Sequence, residues 1–216
     1  MNTLQPYPVQ WIDRWQLADG AWVTVRPVLP QDHLLERLFV ARGMSAQSRY
    51  QRFHTGLREL PETVAHYLTD VDHEHHFALV VEHFGPGGHA QVADARFVRD
   101  PGHPRSSEFA LAVADTWQGL GLGRRLLGTL LQAARQQGLH SLYGDVMRDN
   151  QAMLGLARSL GFRRSPHPDD ARLLRLQHTL HDADHPTTMP TGPRTPHPAG
   201  APAADPHRHR SPAAGW

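Results

Sequence analysis

The sequence predicts an α/β protein with one mixed β-sheet and helices on both of its faces. Strand patterns of short apolar or alternating residues occur near both ends of the chain and cluster in its middle. The three patterns at 76–81, 90–98 and 107–113 follow one another without a helix between them, which indicates antiparallel strands. A long helical pattern then precedes a further strand at 141–147, so the chain is neither a repeat protein nor a doubly wound parallel sheet.

The first third of the chain combines an irregular arm, one strand and three helices. Residues 1–20 carry prolines and scattered aromatic residues, so we predict an irregular N-terminal arm. Alternation over 22–26 predicts a strand that stops at Pro27. Three helices are expected next: one after Pro30, one over 46–53 behind Ser45 as N-cap, and one over 62–68 behind Pro61.

The second half begins with the longest helix. Apolar residues at helical spacing start it at Leu122, and Gly138 is suited to its C-terminal cap. Shorter elements are expected to follow: a strand at 141–147, a helix at 150–160, and strands at 162–164 and 172–176. From residue 181 the composition shifts to Pro, His, Ala and Thr, which predicts a disordered tail over 181–216 and one domain over 21–178.

Composition excludes several classes of function. The chain has 216 residues and a formal net charge of +1, so it offers no general electrostatic attraction for nucleic acid or a membrane. No apolar run approaches the ~20 residues of a membrane span, and the N-terminus lacks a signal pattern. The absence of cysteine excludes disulfides, thiol metal sites and a covalent thiol mechanism. We therefore expect a soluble, cytoplasmic protein.

A glycine-rich stretch before the long helix is the main functional signal. Gln118, Gly121 and Gly123 form a Gln-x-x-Gly-x-Gly pattern that leads directly into the helix. Unpaired N–H groups at a helix start bind anions, and glycines let a phosphate approach the main chain. Arg124 and Arg125 oppose the usual preference for acids in a first turn, which favours a polyphosphate ligand. The alternative is a glycine turn before an ordinary surface helix. A P-loop is excluded because the chain has no lysine.

The pattern at Gln118, followed by leucines, resembles the pyrophosphate-binding motif of the GNAT superfamily of acyl-CoA-dependent N-acetyltransferases. A second stretch, from Asn150-Gln151-Ala152-Met153 to Leu160-Gly161-Phe162, resembles another motif of that family. The order of elements agrees with the family over about residues 20–178. The resemblance implies the GNAT fold, a mostly antiparallel sheet of six to seven strands whose central parallel strands splay apart. It also implies acetyl-CoA as co-substrate.

The resemblance assigns residues to the cofactor as well. The backbone of Leu111, Ala112 and Val113 is expected to bind the pantetheine arm as an added strand would. Asn150 and Met153 belong to the same set, with a plain helix N-cap as the alternative role of Asn150. The pyrophosphate is expected on the loop and first helical turn, formed by Gln118, Gly119, Leu120, Gly121, Leu122, Gly123 and Arg124.

Three further stretches resemble one branch of the family, the bacterial protein lysine acetyltransferases. They are residues 44–53, Asp72 with His76-Phe77-Ala78, and Ser107-Glu108-Phe109-Ala110. Enzymes of this branch acetylate a lysine of AMP-forming acyl-CoA synthetases, which implies a lysine ε-amine on a metabolic enzyme as the acceptor. A small-molecule amine is the alternative acceptor. An acyl-CoA-binding sensor without turnover is the alternative to an enzyme.

Glu108 is the candidate catalytic base. A lysine amine titrates about 3 units above neutral pH, so presenting it uncharged costs ~4–5 kcal/mol and requires a base. Glu108 stands among apolar strand residues, where burial raises the pKa of a carboxyl, and the matching residue of the resembled branch has this role. The alternative is an outward-facing or arginine-paired glutamate.

Ala157 stands where many family members have a tyrosine that protonates the leaving thiolate, so the general acid is unassigned.

Two smaller groups of residues complete the prediction. Arg49, Tyr50 and Arg52 are candidates for binding the acceptor, with a solvated helix face as the alternative. A histidine-rich stretch could suggest a metal, but neighbouring strand residues point to opposite faces and cannot all reach one ion; its histidines are His73, His75 and His76. We therefore expect no metal site.

Overall fold

The computed structural model describes residues 6–180, which form one sheet with helices on both faces, as predicted. The strands are β1 (Asp13–Gln16), β2 (Trp22–Pro27), β3 (His76–Gly85), β4 (Gly88–Asp100), β5 (His103–Val113), β6 (Ser141–Met147), β7 (Arg163–Pro166) and β8 (Leu173–Thr179). The helices are α1 (His33–Leu38), α2 (Ala46–Phe53), α3 (Glu62–Thr69), α4 (Leu122–Gln136) and α5 (Gln151–Ser159). The strand order is β1-β2-β3-β4-β5-β6-β8-β7, and among these strands only β5 and β6 pair in parallel.

The N-terminal segment is more regular than the sequence predicts. Residues 13–16, assigned to an irregular arm over 1–20, form β1 and pair antiparallel with β2. The described sheet therefore has eight strands rather than six or seven. The sequence pattern does not reveal β1 because the strand has four residues and buries one side chain, Trp15. The tail predicted over 181–216 lies outside the described residues.

Most predicted helices are present, and one is divided. The helix expected after Pro30 is a 3-10 turn (Pro30–Asp32), then α1, then a π-helical turn (Phe39–Gly43). Ser45 caps α2 as predicted, because its Oγ accepts the N–H of Ser48 at 3.2 Å. None of the helices in the described part is long and apolar enough to cross a membrane.

The two faces of the sheet have different interiors. α4 and α5 cover one face with a large apolar cluster that includes Phe109 and Leu126. α1, α2 and α3 cover the other face, where a second apolar cluster lies. Glu36, Asp94 and Arg96 are buried on this second side and bring charge into it. The polar side of the sheet is therefore the one covered by α1 to α3.

β5 and β6 separate soon after they meet, as the predicted splay requires. Ser106, Ser107 and Glu108 pair with Ser141, Leu142 and Tyr143. From Phe109 to Val113, no described strand pairs with the edge of β5 that faces β6. The V-shaped gap between the two strands positions the site described next.

Candidate active site

A cleft of about 450 Å³ opens where β5 and β6 separate. β5 contributes every residue from Glu108 to Val113 to its wall, and the glycine-rich loop with the start of α4 closes one end. α2, β6 and the first turns of α5 supply the rest of the lining. The cleft therefore joins an anion-binding loop, an open strand edge and the polar side of the sheet.

The backbone of β5 offers hydrogen-bonding groups to this cleft. Ala114, next after β5, donates its N–H to the carbonyl oxygen of Val92 on β4 at 2.8 Å. Because hydrogen-bonding direction alternates along an antiparallel strand, the main-chain groups of Leu111 and Val113 point away from β4 and into the gap. Ala112 lies between them in the wall. An extended ligand with amide groups, such as pantetheine, can pair with this edge as an added strand would.

The glycine loop presents a row of unpaired N–H groups. Gly119 and Gly121 have φ values of +77° and +84°, a left-handed conformation that favours glycine. No backbone N–H from residue 119 to 124 donates to a described residue, and the first helical hydrogen bond runs from Arg125 N to Gly121 O. These donors and the positive end of the α4 dipole suit a pyrophosphate.

Nearly all residues predicted to bind the cofactor line the cleft. The exception is Leu120, whose side chain packs against the apolar cluster under α4, so that only its N–H faces a ligand. Gln118 Nε2 donates to Val113 O at 3.1 Å and holds the loop against the end of β5. Arg124 Nη1 donates to Ser159 Oγ at 2.7 Å and ties α4 to α5.

Asn150 lines the cleft and also caps α5. Its Oδ1 accepts the N–H of Met153 at 3.0 Å. The side-chain oxygen therefore caps the N-terminus of α5, which was the alternative role of Asn150. Both residues lie in the cleft wall. The amide nitrogen of Asn150 remains as the donor with which the side chain meets a ligand.

Glu108 is a partly buried carboxyl in the same wall. Burial raises its pKa to about 7 and the charge of Asp145 adds to the shift, whereas Arg175 and Arg52 oppose it. No hydrogen bond or ion pair from the described residues occupies the Glu108 carboxylate, so the arginine-paired alternative does not apply. A carboxyl that exchanges its proton near neutral pH has the property that a general base requires.

The three residues predicted to bind the acceptor have different surroundings. Arg52 is buried in the cleft wall, with its Nε 3.9 Å from Asp94 Oδ1. Arg49 instead donates to two backbone carbonyl oxygens beside α2. Tyr50 Oη accepts a hydrogen bond from exposed Arg172. Arg49 and Tyr50 lie outside the cleft lining, because other positions of α2 face the cleft, and their role in acceptor binding stays a prediction.

Two titratable residues of the cleft have no counterpart in the sequence prediction. Asp145 on β6 accepts hydrogen bonds from Arg175 Nε and Nη2 at 2.9 and 2.8 Å, and its Oδ2 lies 3.2 Å from His167 Nε2. His54 follows α2 with a φ of +56°, and burial lowers its pKa. The sequence signal available for Asp145 was that it is the one charged residue in the short strand pattern at 141–147.

Other predicted features also have a definite place. Ala157 is fully buried on the inner face of α5, so this position offers no proton donor for a thiolate. Asp72 Oδ1 accepts the N–H groups of His75 and His76 at 2.8 and 2.9 Å, which makes the histidine-rich stretch a structured loop. Within residues 6–180 no group of three or more His, Cys, Asp or Glu side chains is placed to hold a metal ion.

Comparison with known proteins assigns the class of this fold and site. The acetyltransferase (GNAT) family matches residues 44–162, which is more than half of the chain. The chain therefore belongs to the GNAT family, and it is an acyltransferase.

Two curated relatives match most of the chain. Acetyltransferase Pat of Mycolicibacterium smegmatis is 34% identical over 159 residues, which cover 73% of this chain and 44% of Pat. Acetyltransferase PA5475 of Pseudomonas aeruginosa is 32% identical over 163 residues, which cover 74% of this chain and 86% of that protein. The chain thus spans less than half the length of Pat and most of the length of PA5475.

Solved structures confirm the fold. The GNAT domain of S. lividans PAT matches with a TM-score of 0.72 and 25% identity, over 80% of this chain and 99% of that domain. The cAMP-binding acyltransferase from Mycobacterium smegmatis matches with a TM-score of 0.54 and 28% identity, over 84% of this chain and 52% of that protein.

Proposed function

We propose that this chain is an acetyl-CoA-dependent N-acetyltransferase whose acceptor is the ε-amine of a protein lysine. The observation that carries the proposal is the position of Glu108. Its carboxyl, with a pKa of about 7, lies in the same cleft as the glycine loop and the open edge of β5. One cleft therefore holds a polyphosphate site, a strand edge for pantetheine and a base for an amine.

Each part of the cleft has a chemical role in the proposed reaction. The N–H groups before α4 bind the pyrophosphate, and the main chain of Leu111 and Val113 orients the arm towards Glu108. Acetyl-CoA supplies the acetyl group as a thioester. Glu108, directly or through a water molecule, accepts a proton from the acceptor ammonium.

The neutral amine then forms a C–N bond to the acetyl carbon as the C–S bond breaks, and the proton that the nitrogen loses as the amide forms is taken up by the CoA thiolate. Acceptor and thioester react directly in a ternary complex, so no residue of the chain becomes acetylated during the reaction.

The proposal of a protein acceptor rests on the branch of the family that the sequence motifs resemble. The stretches at 44–53, 72–78 and 107–110 resemble bacterial protein lysine acetyltransferases, and acetyltransferase Pat is a relative at 34% identity. We infer that an AMP-forming acyl-CoA synthetase is the acceptor protein and that both proteins are cytoplasmic.

Direct transfer tests this function. The purified chain is incubated with acetyl-CoA and an AMP-forming acetyl-CoA synthetase, and the synthetase is mapped by mass spectrometry. We expect acetylation of one active-site lysine, with a loss of at least a hundredfold in Glu108→Gln. Glu59→Gln is the matched control, because Glu59 is exposed and outside the cleft. Acetylation that survives in Glu108→Gln would remove the base assignment.

A small amine is the second candidate acceptor. The L-amino acid N-acyltransferase MnaT of Escherichia coli is 39% identical over 75 residues, 35% of this chain. If the synthetase stays unmodified, turnover of free amino acids would support this candidate. Tight CoA binding without any turnover would instead indicate an acyl-CoA sensor.

A further inference from the structure

Asp145 is a second carboxylate in the cleft, and the reaction described above does not use it. β6 pairs with β5 as far as Tyr143, the register partner of Glu108. Asp145 follows two residues later, so it points to the same face of the sheet as Tyr143. Both Glu108 and Asp145 line the cleft, one from each of the two diverging strands. An acceptor that enters between β5 and β6 therefore meets two carboxylates.

Two donors of Arg175 hold Asp145 in a defined orientation. Arg175 donates to both of its oxygens, and His167 Nε2 lies 3.2 Å from Oδ2. His167 Nδ1 accepts the backbone N–H groups of Asp169 and Asp170 at 3.1 and 3.0 Å, so a neutral His167 carries its proton on Nε2, towards Asp145. A carboxylate has about four acceptor positions, and the two Arg175 donors occupy two of them.

The positive charges near this pair already have acidic neighbours. Arg175 forms its ion pair with Asp145 itself, and Arg52 lies 3.9 Å from Asp94, which is also paired with Arg96. Glu108 has no ion-pair partner among the described residues. The remaining titratable groups around the two carboxylates are His54, His167, Tyr67, Tyr143 and Asp100. Glu108 therefore has no cation of the described residues within ion-pair distance, and an ammonium ion in the cleft would supply one beside Asp145.

We propose that Asp145 is a specificity-determining residue of the acceptor site, which binds the acceptor as an alkylammonium ion beside Glu108. The inference rests on the proposed function and narrows its acceptor to strongly basic primary amines. Asp145 accepts one N–H of the ammonium, and Glu108 accepts the proton that leaves. An aromatic amine, which is uncharged at neutral pH, gains nothing from Asp145.

Binding of two matched probes to the full chain in the presence of CoA tests the proposal. N-acetyl-lysine amide carries the ammonium, and N-acetyl-norleucine amide replaces it with a methyl group. We expect the chain to bind the lysine probe at least tenfold more tightly, and Asp145→Asn to reduce that preference to less than threefold. Asp100→Asn is the control, because Asp100 also raises the pKa of Glu108 but lies outside the cleft lining, and it should keep the preference.

A second variant covers the case in which Asp145→Asn does not fold. Asp145→Glu keeps the charge and extends it by one methylene, so we expect tighter binding of the shorter N-acetyl-ornithine amide relative to the lysine probe. A folded Asp145→Asn variant that still prefers the lysine probe tenfold would overturn the proposal. An unchanged lysine-to-ornithine ratio in Asp145→Glu would do the same.

The titration of Glu108 provides a readout that a purely structural role would not move. Because Asp145 raises the pKa of Glu108, we expect the Glu108 carboxyl in Asp145→Asn to titrate at lower pH, as followed by carbon NMR. Neither binding nor titration requires turnover. Failure of synthetase acetylation with these results intact would reject the protein acceptor alone. Acetylation without any effect of Asp145→Asn on probe binding would reject the role of Asp145 alone.

Discussion

Gly144 on β6 lies directly against Phe109 on β5. A Cβ atom at position 144 would stand 2.8 Å from the Phe109 ring and 2.9 Å from its carbonyl oxygen. This contact comes one residue after the last β5–β6 pair, between Glu108 and Tyr143. Glycine at 144 therefore lets the strands stay close up to the point where the cleft begins.

We predict that Gly144→Ala destabilises the fold by about 1–3 kcal/mol, because the added methyl group must push the strands apart against a backbone atom. Thermal unfolding measures the change. Gly155→Ala is the control: Gly155 lies in α5 with no atom within 4 Å of its added Cβ. It should gain roughly 0.5–1 kcal/mol. Equal stability of Gly144→Ala and the unmodified chain would contradict the prediction.

Gly121→Ala should weaken cofactor binding. Gly121 has a φ of +84°, where a side chain costs ~1–2 kcal/mol, and relief of that strain turns the N–H groups of the loop away from the ligand. We expect the Kd for CoA to rise about tenfold, as 1.4 kcal/mol of lost binding implies. Calorimetry with CoA measures it. Gly128→Ala, at an uncrowded position inside α4, should bind CoA normally, and similar affinities for both variants would refute the loop model.

Acetyl transfer should increase with pH and reach half its plateau near pH 7. Burial raises the pKa of Glu108 to about 7, so the base is protonated and inactive below that value and becomes active as the pH rises through it. Arg52 lowers this pKa, and Arg52→Met should therefore move the midpoint to higher pH. A pH profile of kcat/KM tests both statements. A profile without an inflection between pH 6 and 8 would exclude Glu108 as the titrating base.

Glu36 should make the fold less stable at high pH. Burial, reinforced by Asp94, raises its pKa to about 7, whereas an unfolded glutamate titrates near ~4.3. The folded chain thus holds this proton more tightly, and the associated stability is complete below pH ~4 and is lost as the pH rises through 7. The difference is about 4 kcal/mol.

Glu36→Gln removes this titration and keeps the shape of the side chain. Urea unfolding at pH 5 and pH 8 compares the two proteins. We expect the free energy of unfolding of the unmodified chain to fall more than that of the variant between these values. An identical fall in both would place the Glu36 pKa outside this range.

The features that the sequence predicted depend on local rules. Ser45 caps α2, β6 begins and ends where the pattern predicts, and the Gln118 motif stands at the start of α4. Contacts between residues that lie far apart in the sequence could not be predicted. β1 is stable because it pairs with β2, and the choice of Arg52 over Arg49 depends on how α2 is rotated against the sheet. Asp145 joins Glu108 only through the parallel pairing of β5 with β6.

The three-residue junction between β5 and β6 has a mechanical consequence. The described sheet consists of a five-stranded and a three-stranded plate that are hydrogen-bonded to each other at one corner. A ligand that pairs with Leu111 and Val113 lies in the gap between β5 and β6 and connects the two plates. At a hundred times its Kd such a ligand adds about 2.7 kcal/mol to the stability of the whole protein. With CoA as that ligand, as proposed, we expect its release to lower the stability of the protein by the same amount, because the two plates then pair with each other through three residue pairs.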